Sequence, residues 1–246
     1  MTGAGLELRA VGVRYGGRTA LDGVDLVMDA GEQVCLVGPN GAGKSSLLAC
    51  VTGLMGERRG TVLLDDVPLE EWSRERLARR MAVVPQQVVL PFAARVEEVV
   101  ALGRLPHEHP FLGAREVDRQ AVARAIELVG IGQLVGRDVR ELSLGERQMV
   151  LLAMAVAQSA PLLILDEPTV HLDLRHQVQV MELLRGLNRR EGTTILAVLH
   201  DLRLAAHFFP RVVVLDAGRV VADGPPTESL SPDRIRTVFG VDPALV

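Results

Sequence analysis

The stretch that most constrains this chain is residues 38–46, Gly-Pro-Asn-Gly-Ala-Gly-Lys-Ser-Ser. It matches the pattern G-x-x-x-x-G-K-[ST], with Gly38, Gly43, Lys44 and Ser45 at the fixed positions. Glycines allow a tight loop whose N–H groups can point at one spot, and the lysine adds a full positive charge there. The stretch therefore predicts either a site for a phosphate chain or an ordinary glycine-rich turn between a strand and a helix.

The flanking residues supply the local structure that a phosphate site requires. Residues 34–37 are an apolar run typical of a buried strand, and residues 47–51 continue as the start of a helix. A helix N-terminus binds anions, Lys44 adds charge near the terminal phosphates, and the Ser45 hydroxyl is placed to bind Mg²⁺. We call residues 38–46 the phosphate-binding loop. The residues expected to contact the phosphate chain there are Gly38, Pro39, Asn40, Gly41, Ala42, Gly43, Lys44, Ser45 and Ser46.

Charge and composition narrow the class of protein. Lysine and arginine total 27 against 31 acidic residues, a net charge of −4, which argues against a nucleic-acid-binding surface. Cys35 and Cys50 lie in apolar runs and are interpreted as small core residues of a reduced, cytosolic protein. No charged-then-apolar leader opens the chain, and the apolar stretch 149–165 is too short and interrupted to predict a membrane span.

Hydrophobic patterning predicts two kinds of sheet. Residues 6–34 alternate apolar and polar side chains, which predicts an antiparallel sheet near the N-terminus. Residues 212–215 and 220–222 flank a turn and predict a hairpin. Unbroken apolar runs, typical of parallel strands covered on both faces, occupy residues 162–165, 194–199 and 211–215.

The middle of the chain has helical patterns instead. Residues 116–129 carry an apolar stripe with helical spacing, and residues 96–102 and 146–157 also fit helices. We therefore predict one domain over residues 1–246, an α/β fold interrupted by an all-helical subdomain. The predicted boundaries give a core of residues 1–87 and 161–246 and an insertion of residues 88–160.

Two carboxylates, Asp166 and Glu167, follow the apolar run of residues 162–165. In enzymes with a phosphate-binding loop, a carboxylate at a strand end holds the Mg²⁺ environment, and a second one can orient or deprotonate the attacking water. Asp166 suits the first role and Glu167 the second. The simpler alternative is that both carboxylates only mark the end of a strand.

Further motifs carry a resemblance to a known family. Leu142-Ser143-Leu144-Gly145-Glu146, here called the signature turn, is similar to the signature motif of the ATPase subunits of ATP-binding cassette (ABC) transporters. Gln86 resembles the family's Q-loop glutamine, and His200 resembles its switch histidine. Asp173 after Leu172 resembles the D-loop, and Tyr15 occupies the place of the aromatic residue that stacks on adenine. The motifs follow the family's order and spacing over nearly the whole chain.

The resemblance implies a P-loop NTPase (RecA-like) core with an N-terminal antiparallel β-subdomain, which binds ATP and Mg²⁺ and hydrolyses ATP. It implies that Gln86 joins Ser45 and Asp166 around Mg²⁺ and that Glu167 and His200 are catalytic. A second ATPase subunit, expected as a homodimer, would present its signature turn to the γ-phosphate. Beside Tyr15 and Gln86, the further residues implied to face the nucleotide are Ser143, Gly145, Glu146 and Asp173.

One position departs from the family pattern. Leu144 stands where the family usually has glycine, and leucine lacks the freedom of glycine to adopt a positive φ. Ser143 and Gly145 are retained. We therefore expect closure onto a second subunit to be weakened or retuned, and not lost.

Two segments indicate the branch of the family. Residues 86–107 and 171–177 resemble the ATPases of importers for heme, iron-siderophores and cobalamin. The resemblance implies a peripheral subunit at the cytoplasmic face of the cell membrane, docked to integral membrane permease subunits through residues 88–108. A periplasmic or lipid-anchored substrate-binding protein would be an indirect partner. His107 and His109 lie in a polar loop and are interpreted as solvated, not as ligands of metal or heme.

Two other functions remain open at this point. A nucleotide-binding regulatory or assembly ABC subunit with little turnover would account for Leu144. A soluble ABC ATPase of translation, DNA repair or iron–sulfur assembly is disfavoured by the single cassette and by the lack of coiled-coil heptads.

Overall fold

The computed structural model describes residues 3–86, 93–108 and 113–245. Its β-strands are β1 Leu6–Tyr15, β2 Arg18–Met28, β3 Gln33–Val37, β4 Arg59–Leu64, β5 Val67–Pro68, β6 Met81–Val84, β7 Leu162–Asp166, β8 Thr194–Val198, β9 Arg211–Asp216 and β10 Arg219–Gly224. Its α-helices are α1 Lys44–Val51, α2 Arg74–Arg80, α3 Val96–Ala101, α4 Glu116–Val129, α5 Leu144–Gln158, α6 Leu174–Glu191, α7 Leu202–Phe208, α8 Pro226–Ser229 and α9 Pro232–Arg234.

The strands form two sheets. The first has the order β2-β1-β4-β5 and is antiparallel. The second has the order β10-β9-β3-β8-β7-β6 and is parallel except for the β9–β10 hairpin. This arrangement is the predicted α/β fold with an antiparallel sheet at the N-terminus.

Both faces of the second sheet are covered, which explains its unbroken apolar runs. Every residue of β3 and of β8 is buried. Alternate residues of β3 enter different apolar clusters, Val34 and Leu36 on one face and Cys35 and Val37 on the other. The strands are therefore held from both sides, and loops at their ends are the parts free to form a site.

Parallel strands bring separate motifs to one edge of the sheet. The phosphate-binding loop follows β3, Gln86 comes shortly after β6, Asp166 ends β7, and His200 comes shortly after β8. In open α/β sheets the carboxyl ends of the strands form the binding edge. Residues far apart in the chain are thus placed near one another at this edge.

The described chain between β6 and β7 is mainly helical. Arg104, 7% exposed, donates to the Asp118 carboxylate of α4, 1% exposed, at 3.0 and 3.1 Å. Arg104 also donates to the Ala157 carbonyl oxygen of α5 at 2.8 Å. This buried pair ties α4 to the end of α5. The subdomain boundaries at residues 88 and 160 stay a prediction.

Most predicted elements are confirmed, with a few differences. α4 spans the predicted residues, and β9 and β10 form the predicted hairpin. α5 begins at Leu144, two positions before the predicted start, because Ser143 caps it. α7 was not predicted from the sequence. Among the described residues, no helix combines the length and hydropathy needed to cross a membrane.

Two predictions concern the segments beside the helical region. Residues 88–92, predicted to expose apolar surface to a permease, lie outside the described residues, as does His109. His107 is partly buried, and its Nε2 lies 2.8 Å from the Gln158 carbonyl oxygen. It therefore differs from the solvated side chain that was expected, and burial lowers its pKa.

Candidate active site

Glycines allow the phosphate-binding loop to pack directly on two strands. A Cβ atom at Gly38 would lie 2.1 Å from the Leu215 carbonyl oxygen of β9, and one at Gly43 would lie 2.4 Å from the Ala20 carbonyl oxygen of β2. Gly43 also has a φ of +108°, in the region that favours glycine. Any side chain at these positions would displace the loop from the backbone it rests on.

Lys44 is the first residue of α1 and is 7% exposed. Its Nζ donates to the carbonyl oxygens of Gly38 at 2.7 Å and Pro39 at 3.1 Å. Burial lowers the pKa of Lys44, whereas the charges of Glu167 and Asp166 act to raise it. Within the described residues, the ammonium group is hydrogen-bonded to these two neutral carbonyl oxygens, which a phosphate oxygen can replace.

A cavity of about 370 Å³, here called the first cavity, opens over the phosphate-binding loop. The predicted site residues that line it are Tyr15, Asn40, Gly41, Gly43, Lys44, Ser45, Ser46, Glu167 and His200. Gly38, Pro39 and Ala42 complete the loop, with the Ala42 N–H donating to the Pro39 carbonyl at 3.2 Å. The cavity thus joins the end of β1, the loop after β3 and the residues that follow β7 and β8.

Glu167 is held between two polar side chains. Gln86 Nε2 donates to Glu167 Oε2 at 2.7 Å, and His200 Nε2 is hydrogen-bonded to Glu167 Oε1. Glu167 has a φ of +52°, which is uncommon for a residue other than glycine. Its N–H donates to the Val198 carbonyl of β8 at 3.1 Å, which fixes this turn to the sheet. The structure therefore brings Gln86, Glu167 and His200 into direct contact.

Asp166 is a partly buried carboxylate that lies near a second negative charge, that of Glu167. Burial raises its pKa, the Glu167 charge raises it further, and the charges of Lys44 and His200 only partly oppose this. The predicted ligands Asp166, Ser45 and Gln86 all offer oxygen atoms, which Mg²⁺ prefers. Within the described ranges, no group of three or more His, Cys, Asp or Glu forms a complete metal site.

The signature turn lies in a second cavity, of about 500 Å³. Ser143, Gly145, Glu146 and Asp173 line this cavity, and Leu144 lies beside them. Ser143 caps α5, since its Oγ accepts the Glu146 N–H at 3.2 Å. The Glu146 carboxylate accepts in return from the Ser143 N–H at 2.8 Å and hydroxyl at 2.9 Å. These hydrogen bonds hold the pKa of Glu146 below its usual value.

Leu144 is the first residue of α5 and is 61% exposed. Its φ is not positive in this structure, so a helical backbone at this position does not need glycine. The consequence of leucine here is therefore steric, because a large apolar side chain projects from the signature turn.

Asp173 caps the next long helix, α6. Its Oδ1 accepts from the His176 N–H at 2.9 Å and lies 2.8 Å from His176 Nδ1. The hydrogen bonds from His176 lower the pKa of Asp173. Asp173 is therefore held as a carboxylate beside the signature turn, in the second cavity and not in the first.

Arg18 also lines the first cavity and was not among the residues predicted from the sequence. Arg18 is the direct cross-strand partner of Tyr15 in the β1–β2 pair. The two residues between them, Gly16 and Gly17, form the turn of a hairpin. That two-glycine turn was the available signal, because it fixes Arg18 opposite Tyr15.

The fold and the first cavity define a nucleotide-hydrolysing protein built on a parallel sheet. A family model described as ABC transporter matches residues 21–170. This match covers more than half of the chain, so the chain belongs to the ABC transporter family. The phosphate-binding loop, Gln86, the signature turn, Asp166 and Glu167 all lie within the matched range.

Similar proteins include import ATP-binding proteins from three sources. The hemin import ATP-binding protein HmuV of Pseudomonas fluorescens is 44% identical over 96% of this chain and 93% of its own length. The iron(3+)-hydroxamate import ATP-binding protein FhuC of Bacillus subtilis is 37% identical over 98% of this chain and 90% of its own length. The cobalamin import ATP-binding protein BtuD of Halobacterium salinarum is 42% identical over 97% of this chain, which spans 61% of that protein.

Solved structures agree with the fold. An inward-facing conformation of a putative metal-chelate type ABC transporter matches with a TM-score of 0.83 and 25% identity, over 97% of this chain and 90% of that one. A dimeric post-hydrolysis state of the ATP-binding cassette MJ0796, bound to ADP and Pi, matches with a TM-score of 0.78 and 26% identity. That match covers 90% of this chain and 98% of the cassette.

Proposed function

We propose that this protein is the ATP-hydrolysing subunit of an ABC importer for an iron chelate, heme or a corrinoid. The observation that carries the proposal is the first cavity, where Lys44, Glu167 and His200 face the same space above the phosphate-binding loop. The cargo class is supported by the similarity to import ATP-binding proteins for hemin, iron(3+)-hydroxamate and cobalamin.

Nucleotide binding follows from backbone geometry and charge. The N–H groups of the phosphate-binding loop and the N-terminus of α1 would bind the phosphate chain, with Lys44 exchanging the Gly38 and Pro39 carbonyls for phosphate oxygens. Tyr15 lines the cavity and is 53% exposed, and its ring would stack on adenine.

Hydrolysis would rest on the residues after β7 and β8. Glu167 would accept a proton from the attacking water. His200 is hydrogen-bonded to the Glu167 carboxylate and would hold that side chain in position. Ser45, Gln86 and Asp166 would hold Mg²⁺, which supplies positive charge against the phosphates. Catalysis of this kind depends mainly on positioning and on charge stabilisation.

A second copy of the chain would complete the site. Ser143 and Gly145 lie at the N-terminus of α5, an electrostatically favourable place for a phosphate, yet they are in the second cavity of their own chain. Presented by a partner, this turn would close the first cavity. The Glu146 carboxylate accepts hydrogen bonds from the Ser143 N–H and hydroxyl, so it would have to move aside for a phosphate to bind there. Arg137 Nη1, which donates to Glu146 Oε1 at 3.1 Å, could hold the displaced carboxylate. The dimeric cassette MJ0796 supports such a pairing.

The other proposed partners are the transport components, namely the permease subunits and the substrate-binding protein. We propose contacts with integral membrane permease subunits through residues 88–108, of which Leu102 and Leu105 are exposed, at 40% and 59%. This would place the protein at the cytoplasmic face of the membrane. A substrate-binding protein outside the membrane would deliver the cargo.

Cargo uptake by cells tests the proposed importer function. Deletion of the gene should abolish uptake of one of three radiolabelled cargoes, a ferric hydroxamate, heme or cobalamin. The unaltered gene should restore uptake, and Lys44→Ala should not, since the phosphate-binding loop would lose its ammonium group. Unchanged uptake of all three cargoes in the deletion strain would rule out the proposed cargo class.

Leu144→Gly should increase ATP hydrolysis in the assembled transporter. Removing the exposed side chain lets the signature turn approach the partner's nucleotide more closely, and we expect a gain of about three-fold, or about 0.7 kcal/mol of barrier. Phosphate release under saturating Mg-ATP measures the effect. Val117→Gly is the matched control, because Val117 is 52% exposed in the first turn of α4, and it should leave turnover unchanged. Turnover of Leu144→Gly below that of the unaltered protein would contradict the steric interpretation.

A further inference from the structure

Arg18 is the cationic residue of the first cavity that the proposed mechanism does not use. It lies at the start of β2, directly opposite Tyr15 of β1. Paired residues on neighbouring strands project to the same face of a sheet. Arg18 and Tyr15 are therefore neighbours along one wall of the cavity, and both line it.

The guanidinium group reaches across to the phosphate-binding loop. Arg18 Nη2 lies 3.3 Å from the position that a Cβ atom would have on Gly41. Gly41 has a φ of +80° and no side chain, so nothing separates the guanidinium from the loop backbone. Arg18 thus extends from the wall that carries Tyr15 to the middle of the loop.

The Arg18 guanidinium has no protein partner in the described part of the chain, where no hydrogen bond or ion pair engages it. Other arginines there do have carboxylate partners, among them Arg104 with Asp118, Arg211 with Asp223 and Arg219 with Asp22. An unpaired guanidinium carries five donors in a planar fork that matches phosphate oxygens. Its natural ligand in this cavity is an anion.

We propose that Arg18 binds the phosphate chain of the nucleotide on the side nearest the base. The inference rests on the proposed function, because it assumes that the base lies on Tyr15 and the terminal phosphates on Lys44. A guanidinium that starts beside Tyr15 and ends over Gly41 contacts a part that nucleoside diphosphates and triphosphates share. Arg18 therefore contributes the same affinity to ADP and ATP, and it acts on binding and not on the chemical step.

Calorimetric titration of the full chain with ADP and with the non-hydrolysable analogue AMPPNP tests the inference. Arg18→Ala should weaken the binding of both about tenfold, the effect of losing one charge-assisted contact. Arg18→Lys should recover part of the loss, since it keeps the charge and loses the fork. In hydrolysis assays, Arg18→Ala should raise KM and leave kcat unchanged, as expected for a contact made equally in substrate and transition state.

Arg14→Ala is the matched control. Arg14 is exposed and lies next to Tyr15 on β1, but it lines a separate cavity with Gly12 and Arg59. This variant should bind ADP and AMPPNP like the unaltered protein. Without nucleotide, the Arg18→Ala and Arg18→Lys variants should melt at the same temperature as the unaltered protein, because the Arg18 side chain does not stabilise the fold.

Three outcomes would overturn the inference. Unchanged affinity of Arg18→Ala for ADP, in an experiment where Lys44→Ala loses binding, would remove Arg18 from the site and leave the proposed function intact. A loss for AMPPNP alone would place the contact on the γ-phosphate instead. Failure of the unaltered protein to bind either nucleotide would overturn the proposed function itself.

Discussion

Glu167→Gln should reduce ATP hydrolysis at least about 100-fold, the usual contribution of a general base. The glutamine keeps the shape of the side chain but has one acceptor oxygen in place of two, and it cannot accept the proton of the attacking water. Nucleotide binding should persist, because Lys44 and the loop N–H groups are unchanged. Phosphate release measured with the assembled transporter is the direct readout.

The same variant should accumulate as an ATP-bound dimer. In the proposed pairing, hydrolysis would open the closed dimer, so a chain that binds ATP without turnover should remain paired with its partner. Light scattering in saturating Mg-ATP would show twice the monomer mass for Glu167→Gln and a monomer when ADP replaces ATP. Glu127→Gln, the same change at an exposed position of α4, should hydrolyse ATP normally. A Glu167→Gln protein that stays monomeric in Mg-ATP would contradict closure by a second signature turn, and normal turnover would assign the base to another group.

The fold was predictable wherever one periodicity dominates. α4 was assigned over its full length because its apolar stripe is regular, and the structure shows that Gly130 ends it in the left-handed conformation. α7 was missed because it is only seven residues long, which is too short for its apolar periodicity to be recognised. The start signal that could have revealed it is Asp201, whose carboxylate accepts from the N–H groups of Arg203 and Leu204.

The site was predictable where a motif is local and less so where strands bring residues together. The phosphate-binding loop is contiguous, so its residues were identified from sequence alone. The contact between Gln86 and Glu167 depends on β6 lying next to β7 in the sheet, although 81 positions separate the two residues. Such a contact follows from sheet topology, which residue spacing does not specify. Arg18 differs, because the two-glycine turn that places it opposite Tyr15 is local and could have been recognised in the sequence.

Gly43→Ala should be the most damaging small substitution in the phosphate-binding loop. An alanine there must adopt a φ of +108° and would place its Cβ 2.4 Å from the Ala20 carbonyl oxygen and 2.9 Å from Leu21 Cδ2. Backbone strain and overpacking each cost on the order of 1–3 kcal/mol, so we expect a loss of about 3 kcal/mol in the free energy of unfolding. In a chain of this size that corresponds to a melting temperature lower by roughly 6–12 °C.

Nucleotide affinity should fall along with stability, because relieving the contact moves the loop N–H groups away from the phosphate chain. Thermal unfolding without nucleotide and calorimetric titration with ADP separate the two effects. Gly56→Ala is the matched control: a Cβ there meets no heavy atom within 4 Å, and its φ is not positive, so both measurements should match the unaltered protein. If Gly43→Ala and Gly56→Ala unfolded at the same temperature and bound ADP equally, the loop would not depend on its packing against β2.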